Sequence, residues 1–323
     1  MIRRVDTLRE WDNAALRGFP IDARYLVGVS GGRDSVTLLH WLQAQRYLRL
    51  IVCHFDHRLR ARAGRADARF VERIAARAGL PFEGESEDIK ARAAQSNCSI
   101  ETAARAARYE FFAKVSRRRR CCTIFLGHHA DDLVETFLFN LLRGSGSEGQ
   151  RGMRAISVQK IDGAQLTVVR PLLAVWREQI DDYIQAHGLR FREDASNSSL
   201  QPMRNRVRHR IIPLIEKEFG RSIRKSLWRA AEIAAEEHAV LNDLMVAQLQ
   251  QKKNLPVLTL KKLPVALQRR ALRRWLREHA VADVSFELIE STRALLDSTR
   301  GPAKINLPGD RHARRKAGEL FIE

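Results

Sequence analysis

Between residues 24 and 142, short apolar runs alternate with longer stretches of helical period. Residues 24–29 (RYLVGV), 50–55 (LIVCHF) and 123–127 (TIFLG) are rich in β-branched and aromatic side chains and too short for helices. They predict strands. Each is followed by a predicted helix, at residues 35–45, 67–78 and 131–142. Strand–helix alternation of this kind predicts βαβ units and therefore an α/β fold, a doubly wound parallel sheet with helices on both faces. Ligands of such sheets bind at the carboxyl ends of the strands.

Downstream, residues 155–159 and 166–169 predict a hairpin with Asp162-Gly163 at its turn. A helix is predicted over 177–187, closed by Gly188. The stretch 191–203 (FREDASNSSLQPM) reads as loop, 204–218 returns to a helical pattern, and 222–250 reads as one long connecting helix. From residue 255 the composition shifts toward Lys, Arg and Leu. In 261–280 the apolar residues Leu263, Ala266, Leu267, Leu272, Trp275 and Leu276 form a stripe with a basic opposite face. That stripe is expected to pack on a following helix at 286–296. The expected organisation is a domain at 1–215, a helical linker at 216–253 and a small, mostly helical C-terminal domain at 254–323.

Charge narrows the partners. The 323 residues carry 57 Lys plus Arg against 38 Asp plus Glu, a net charge of +19, and only 11 of the 57 are Lys. A polyanion is the expected partner, because neutralising phosphates releases counterions and the arginine fork suits phosphate oxygens. The longest stretch without a charged side chain is residues 35–45. That is too short for a membrane span, and the N-terminus lacks a secretory signal. Cys53, Cys98, Cys121 and Cys122 show no C-x-x-C pair or zinc spacing. They read as reduced thiols of a cytoplasmic protein.

The chemistry starts where the first strand ends. Ser30-Gly31-Gly32-Arg33-Asp34-Ser35 runs from strand to helix through two glycines, which lets backbone N–H groups approach an anion closely. It is a nucleotide loop but not a Walker A loop, since no G-K-[ST] occurs. A plain Gly-Gly turn would leave the flanking serines and the acid without a role.

SGGxDS opening such a sheet resembles the pyrophosphate loop of the N-type ATP pyrophosphatases, which implies an adenine-nucleotide alpha-hydrolase-like sheet. Further runs sharpen the resemblance: HFDHRLR at 54–60, ETAARAARY at 101–109, LGHHADDLVET at 126–136, LLRGSGSEGQRGM at 141–153, RPLL at 170–173, and EDASN through RNRVRHRIIP at 193–213. In this order they resemble the bacterial tRNA(Ile)-lysidine synthetase family over residues 23–215, and more weakly over 255–297. Against longer family members the chain reads as a short form.

The resemblance implies an enzyme with ATP and Mg2+ as cofactors and the tRNA(Ile) of anticodon CAU and free L-lysine as partners. ATP adenylates the wobble cytidine at its C2 oxygen, and lysine displaces AMP to leave lysidine. The oligomeric state is left open, with a homodimer among the options.

Residue by residue, Ser30, Gly31, Gly32, Arg33, Asp34 and Ser35 are expected at the nucleotide, with Asp34 as magnesium ligand, although an acid there also suits a helix start. Asp132 and Glu135 share a helix face and are expected to hold the lysine amine, Asp132 as general base. Glu135 fits a first-turn acid poorly. His128 is expected to face the reactants, and His129, which by this reading cannot also point inward, to be structural. Arg108 is expected to clamp the lysine carboxylate, with Arg105 competing. Arg204, with Arg206 as the alternative, is expected at the triphosphate or the tRNA backbone. Gly144, Gly146 and Gly149, above Arg143, form a loop able to close over the nucleotide. A tRNA thiolase of the same superfamily is the nearest rival and would want a cysteine at the loop. A non-catalytic RNA-binding protein is the other, and it leaves Ser30, Asp34, Asp132 and Glu135 unused.

Overall fold

The structure is a computed structural model that describes residues 11, 14–59, 61–193, 203–248 and 253–323. It divides into two units, Met1–Glu232 and Ile233–Glu323.

The first unit is built on six strands, β1 (Tyr25–Gly28), β2 (Leu50–Asp56), β3 (Phe82–Ser86), β4 (Thr123–Leu126), β5 (Ile156–Ile161) and β6 (Ala164–Val169). Their order is β3-β2-β1-β4-β6-β5. The helices between them are α1 (Arg33–Ala44), α2 (Ala61–Arg77), α3 (Ile89–Gln95), α4 (Ile100–Arg119), α5 (Ala130–Leu142) and the short α6 (Ser147–Gln150). After the sheet come α7 (Arg177–His187), α8 (Met203–Arg206), a π turn at Val207–Ile211 and α9 (Ile212–Phe219). The long α10 (Arg224–Gln248) carries the division between the units.

β1 is central and pairs in parallel with β2 on one side and β4 on the other, Leu26 facing both Ile51 and Ile124. Both faces of β1 are buried, which is why it reads as an unbroken apolar run. Val27 turns to a core shared with Leu38, Trp41 and Leu42 of α1, Val71 of α2 and Tyr183 of α7. Leu26 turns to the opposite core, with Phe111, Phe112 and Val115 of α4.

The sheet is not wholly parallel, as the sequence reading had it. β6 joins β4 in parallel, but β5 lies antiparallel on β6 at the edge. The cause is the hairpin turn. Asp162 and Gly163 both have positive φ, 49° and 75°, the geometry that reverses a chain in two residues.

The chain order changes direction at β1. β2 and β3 are laid to one side of it, and β4 starts the other side. The carboxyl ends of β1 and β4 are therefore neighbours at the switch point, where α/β sheets bind ligands.

The second unit corrects the expectation of a mostly helical domain. Its helices are α11 (Val257–Lys262), α12 (Val265–Glu278) and α13 (Phe286–Ala294), beside a four-stranded antiparallel sheet of β7 (Leu255–Pro256), β10 (Glu319–Ile322), β9 (Arg311–Lys316) and β8 (Lys304–Leu307) in that order. The strands hide in sequence because β9 is RHARRK, with Ala313 its one fully buried side chain. Leu263, Leu267, Leu272, Trp275 and Leu276 are buried, and Ile289 of α13 shares their core. Ala266 of the expected stripe is exposed.

Candidate active site

The loop after β1 is fixed by its own serines. The Ser30 amide donates to Ser35 Oγ at 3.1 Å, the Gly32 amide donates to Ser30 Oγ at 3.3 Å, and Ser35 Oγ donates to the Gly32 carbonyl at 2.9 Å. Gly31 sits at φ +91°, where a side chain would be strained, and Gly32 caps α1 without a side chain. The first amides of α1 lack partners within the helix, so the loop is a ready anion site.

The end of β4 lies against this loop. A Cβ on Gly127 would stand 2.9 Å from the carbonyl oxygen of Asp34 and 3.2 Å from the amide of Ser35. A glycine there brings the two strand ends together.

From that junction α5 starts with His129 as its N-cap and delivers Asp131, Asp132 and Glu135. They belong to a cavity of about 1280 Å³ in the first unit, lined also by Ser30, Gly32, Arg33, Asp34, Ser35, Arg108 and His128. Single small-molecule sites occupy roughly 300–1,000 Å³. There is room here for more than one reactant.

Of the sequence candidates, Arg204 is not part of the lining. It donates to Thr136 Oγ1 at 2.8 Å and reaches Glu101 at 4.0 Å. Arg206 and Arg105 also lie outside the lining, Arg105 over the Tyr109 ring. Arg33 lines the cavity while pairing with Asp181 at 2.6 Å and stacking on Phe191. Gly31 shapes the loop from behind, its carbonyl accepting from the Arg192 amide. Both His128 and His129 line the cavity, contrary to the expectation that only one could. The chain leaves β4 there and enters α5, so strand alternation no longer applies.

Three basic residues were missed. Arg177 at the start of α7 points Nη2 at Asp34 Oδ2 (3.4 Å) and at His129 Nε2 (3.2 Å). Arg224 donates to Asp131 at 2.7 Å. Arg208, in the π turn, grips Glu135 through Nε (2.5 Å) and Nη2 (3.0 Å) and donates to Asp132 at 3.2 Å. A signal for Arg208 exists in the sequence, since it stands four residues after Arg204 in a helical stretch.

Electrostatics separate the acids. Burial raises the Asp34 pKa against the pull of His129 and Arg177. Its Oδ1 is buried with no hydrogen-bond partner. Burial likewise raises Glu135 despite Arg208. Asp132 is pushed up by burial too, but His129, both as a charge and through its amide at 3.1 Å, and Arg208 hold it below the ordinary carboxylate value. Asp131 is held low in the same way, by His129, the Arg177 amide and Arg224. Burial opposes a charge on His129, but Asp132, Asp131 and Asp34 raise its pKa. Burial pushes His128 down to about 3, leaving a neutral ring. Arg108 is pushed down by burial among other arginines, and its Nε is buried without a partner.

No group of three His, Cys, Asp or Glu able to hold a metal is present among the described residues. The orphaned Oδ1 of Asp34 fits a magnesium ion shared with phosphate oxygens and water, the usual arrangement for Mg2+ at a nucleotide. Cys53 also lines the cavity, but burial raises its thiol far above neutrality. It is no thiolate for sulfur transfer.

Residues 10–215 match the PP-loop domain and residues 255–321 the TilS substrate binding domain. A tRNA(Ile)-lysidine synthase of Geobacter sulfurreducens is 36% identical over 309 residues, covering 92% of this chain and 64% of its own length. Another, from Thermosynechococcus vestitus, is 33% identical and is covered to 85% of its length. The chain belongs to the tRNA(Ile)-lysidine synthase family. It spans less than two thirds of several curated members of that family, 64% of the Geobacter protein and 62% of one from Dehalococcoides mccartyi.

Among solved structures, a U34-tRNA thiolase from Methanococcus maripaludis superposes with a TM-score of 0.52 at 17% identity, covering 67% of this chain and 72% of that one. That likeness shows a shared fold. The antiparallel sheet, from Leu255 to Ile322, coincides to within one residue with the match to the TilS substrate binding domain. No helix among the described residues is long and apolar enough to cross a membrane.

Proposed function

We propose that the protein ligates free L-lysine to C2 of the wobble cytidine in tRNA(Ile) of anticodon CAU, in the cytoplasm and at the expense of ATP. The observation that carries the reading is the placing of Asp132 and Glu135, a carboxylate pair suited to an amine, in one cavity with the glycine loop and Asp34.

The reaction has two steps. The C2 oxygen of cytidine attacks the α-phosphate of ATP, forming an O–P bond as the bond to pyrophosphate breaks. The amine of lysine then attacks C2, and the C2–O bond breaks to release AMP. A magnesium ion on Asp34 would neutralise charge on the phosphates. Arg177, beside Asp34, adds a fixed cation, and the amides of the α1 start supply donors.

Lysine presents a protonated amine, with an ordinary pKa near 10.4, so the second step needs a base. Asp132 is ionised and takes that proton, while Glu135 holds the amine. Arg108, whose buried Nε lacks a partner, suits the α-carboxylate of lysine, taking either an oxygen directly or a bridging water.

Adenylation is tested by ATP–pyrophosphate exchange with Mg2+ and tRNA(Ile) transcripts. Exchange should require the CAU anticodon and Asp34. Exchange without tRNA, or equal exchange with any anticodon, would rule the first step out.

A further inference from the structure

The carboxylate pair assigned to the lysine amine is already engaged by a cation of the protein itself. Arg208 occupies both oxygens of Glu135, at 2.5 and 3.0 Å, and Oδ1 of Asp132 at 3.2 Å. The remaining oxygen, Asp132 Oδ2, accepts from the His129 amide at 3.1 Å. All four oxygens of the pair have partners. An incoming ammonium would have to share these oxygens with the guanidinium, whose positive charge on the pair opposes the entry of a second cation and the uptake of a proton by Asp132.

The segment that carries Arg208 is irregular. It lies in a π turn in which the Ile212 amide donates to Val207 five residues back. Such turns hold one extra residue within a helix and recur at functional sites. Passing that residue along would swing Arg208 about the axis by about 100°. Arg208 is 27% exposed at its side chain and lines the same cavity as the glycine loop and Asp34. A triphosphate in that cavity offers the guanidinium a second set of bidentate acceptors.

We infer that Arg208 is an internal stand-in for the substrate amine, which closes the Asp132–Glu135 pair to lysine until a nucleotide polyphosphate draws it away, so that ATP must bind before lysine. The inference rests on the lysine-ligating reading above. It makes Arg208 a residue that sets the order of substrates.

The test is equilibrium dialysis of radiolabelled L-lysine against the full chain. Wild type, Arg208→Met and Arg208→Lys are each measured alone, and again with tRNA(Ile) transcript, Mg2+ and an ATP analogue carrying a methylene bridge between the α and β phosphates. Without nucleotide, Arg208→Met should bind lysine at least about tenfold more tightly than wild type, because the competent form is no longer the minor one. Arg208→Lys keeps a cation at the pair and should stay with wild type. The analogue should tighten wild type by about tenfold and Arg208→Met by much less. If the analogue tightens wild type but Arg208→Met gains nothing in its absence, this inference falls and the lysine reading stands. If wild type binds no lysine in either condition, both fall. Thermal unfolding of the variants checks that each is folded.

Discussion

Gly127→Ala probes the join between the loop and α5. The new Cβ would lie 2.9 Å from Asp34 O, 3.1 Å from Asp34 C and 3.2 Å from Ser35 N. The nearest contact is about 0.5 Å short of the 3.4 Å at which ordinary contact begins. All three atoms are backbone, so no side chain can turn aside, and either the end of β4 or the start of α1 must give way. Overpacking of this kind costs about 1–3 kcal/mol. Misplacing reacting groups by about 1 Å can cost about 10²-fold in rate, so half of that predicts about a tenfold loss. Thermal unfolding and ATP–pyrophosphate exchange would be measured together, with Gly18→Ala as control. A Cβ at Gly18 meets nothing within 4 Å, so that variant should stay within about 0.5 kcal/mol of wild type. A Gly127→Ala protein with wild-type stability and full exchange would refute the argument that this contact sets the loop.

Other predictions follow from single residues. Asp34→Asn should fold and lose about 10²–10³-fold in exchange, since it removes a charge stabiliser at the phosphates; exchange rates at saturating Mg2+ would show it. Asp131 is held below its usual pKa of 3.8, so its contribution to stability is full above that value and is lost as pH falls through the depressed folded-state pKa. Asp131→Asn should therefore cost about 1–3 kcal/mol at pH 7 and show a smaller loss than wild type between pH 4 and 3, read by urea denaturation. Trp275 is 1% exposed, and its Nε1 donates to the Lys253 carbonyl at 3.0 Å. Trp275→Ala should cost the second unit about 3–5 kcal/mol, seen as a lowered melting transition.

Where local chemistry decides structure, the sequence was readable. The helix at 177–187 ends at Gly188 because that residue takes φ +59°, and the hairpin is fixed by two residues that tolerate positive φ. Of the five strands read from the sequence, the three outside the hairpin are apolar runs buried on both faces of the sheet. β3, FEGES, escaped notice because only Glu83 is buried in it, held by Arg118 and Arg119. The charged β9 was hidden for a similar reason. The acids of the site were legible because they lie on one helix turn after one strand. Their cationic partners were not, since the guanidinium groups of Arg208, Arg224 and Arg177 reach Glu135, Asp131 and Asp34 across 73, 93 and 143 residues of chain. Four arginines alternate at 204, 206, 208 and 210. Only the path of the chain through the π turn selects the one that meets Glu135. The 194–202 part of the expected loop lies outside the described residues.

The central claim is that this cavity joins lysine to a tRNA cytidine. Its most direct measurement is incorporation of radiolabelled L-lysine into a tRNA(Ile) transcript of anticodon CAU, with ATP and Mg2+, for wild type and Asp132→Asn. The account predicts label in the RNA with wild type, and a loss of about 10²-fold or more with the variant while ATP–pyrophosphate exchange persists. No label with wild type, together with AMP formation that depends on an added sulfur donor, would contradict it and move the chain to the thiolases.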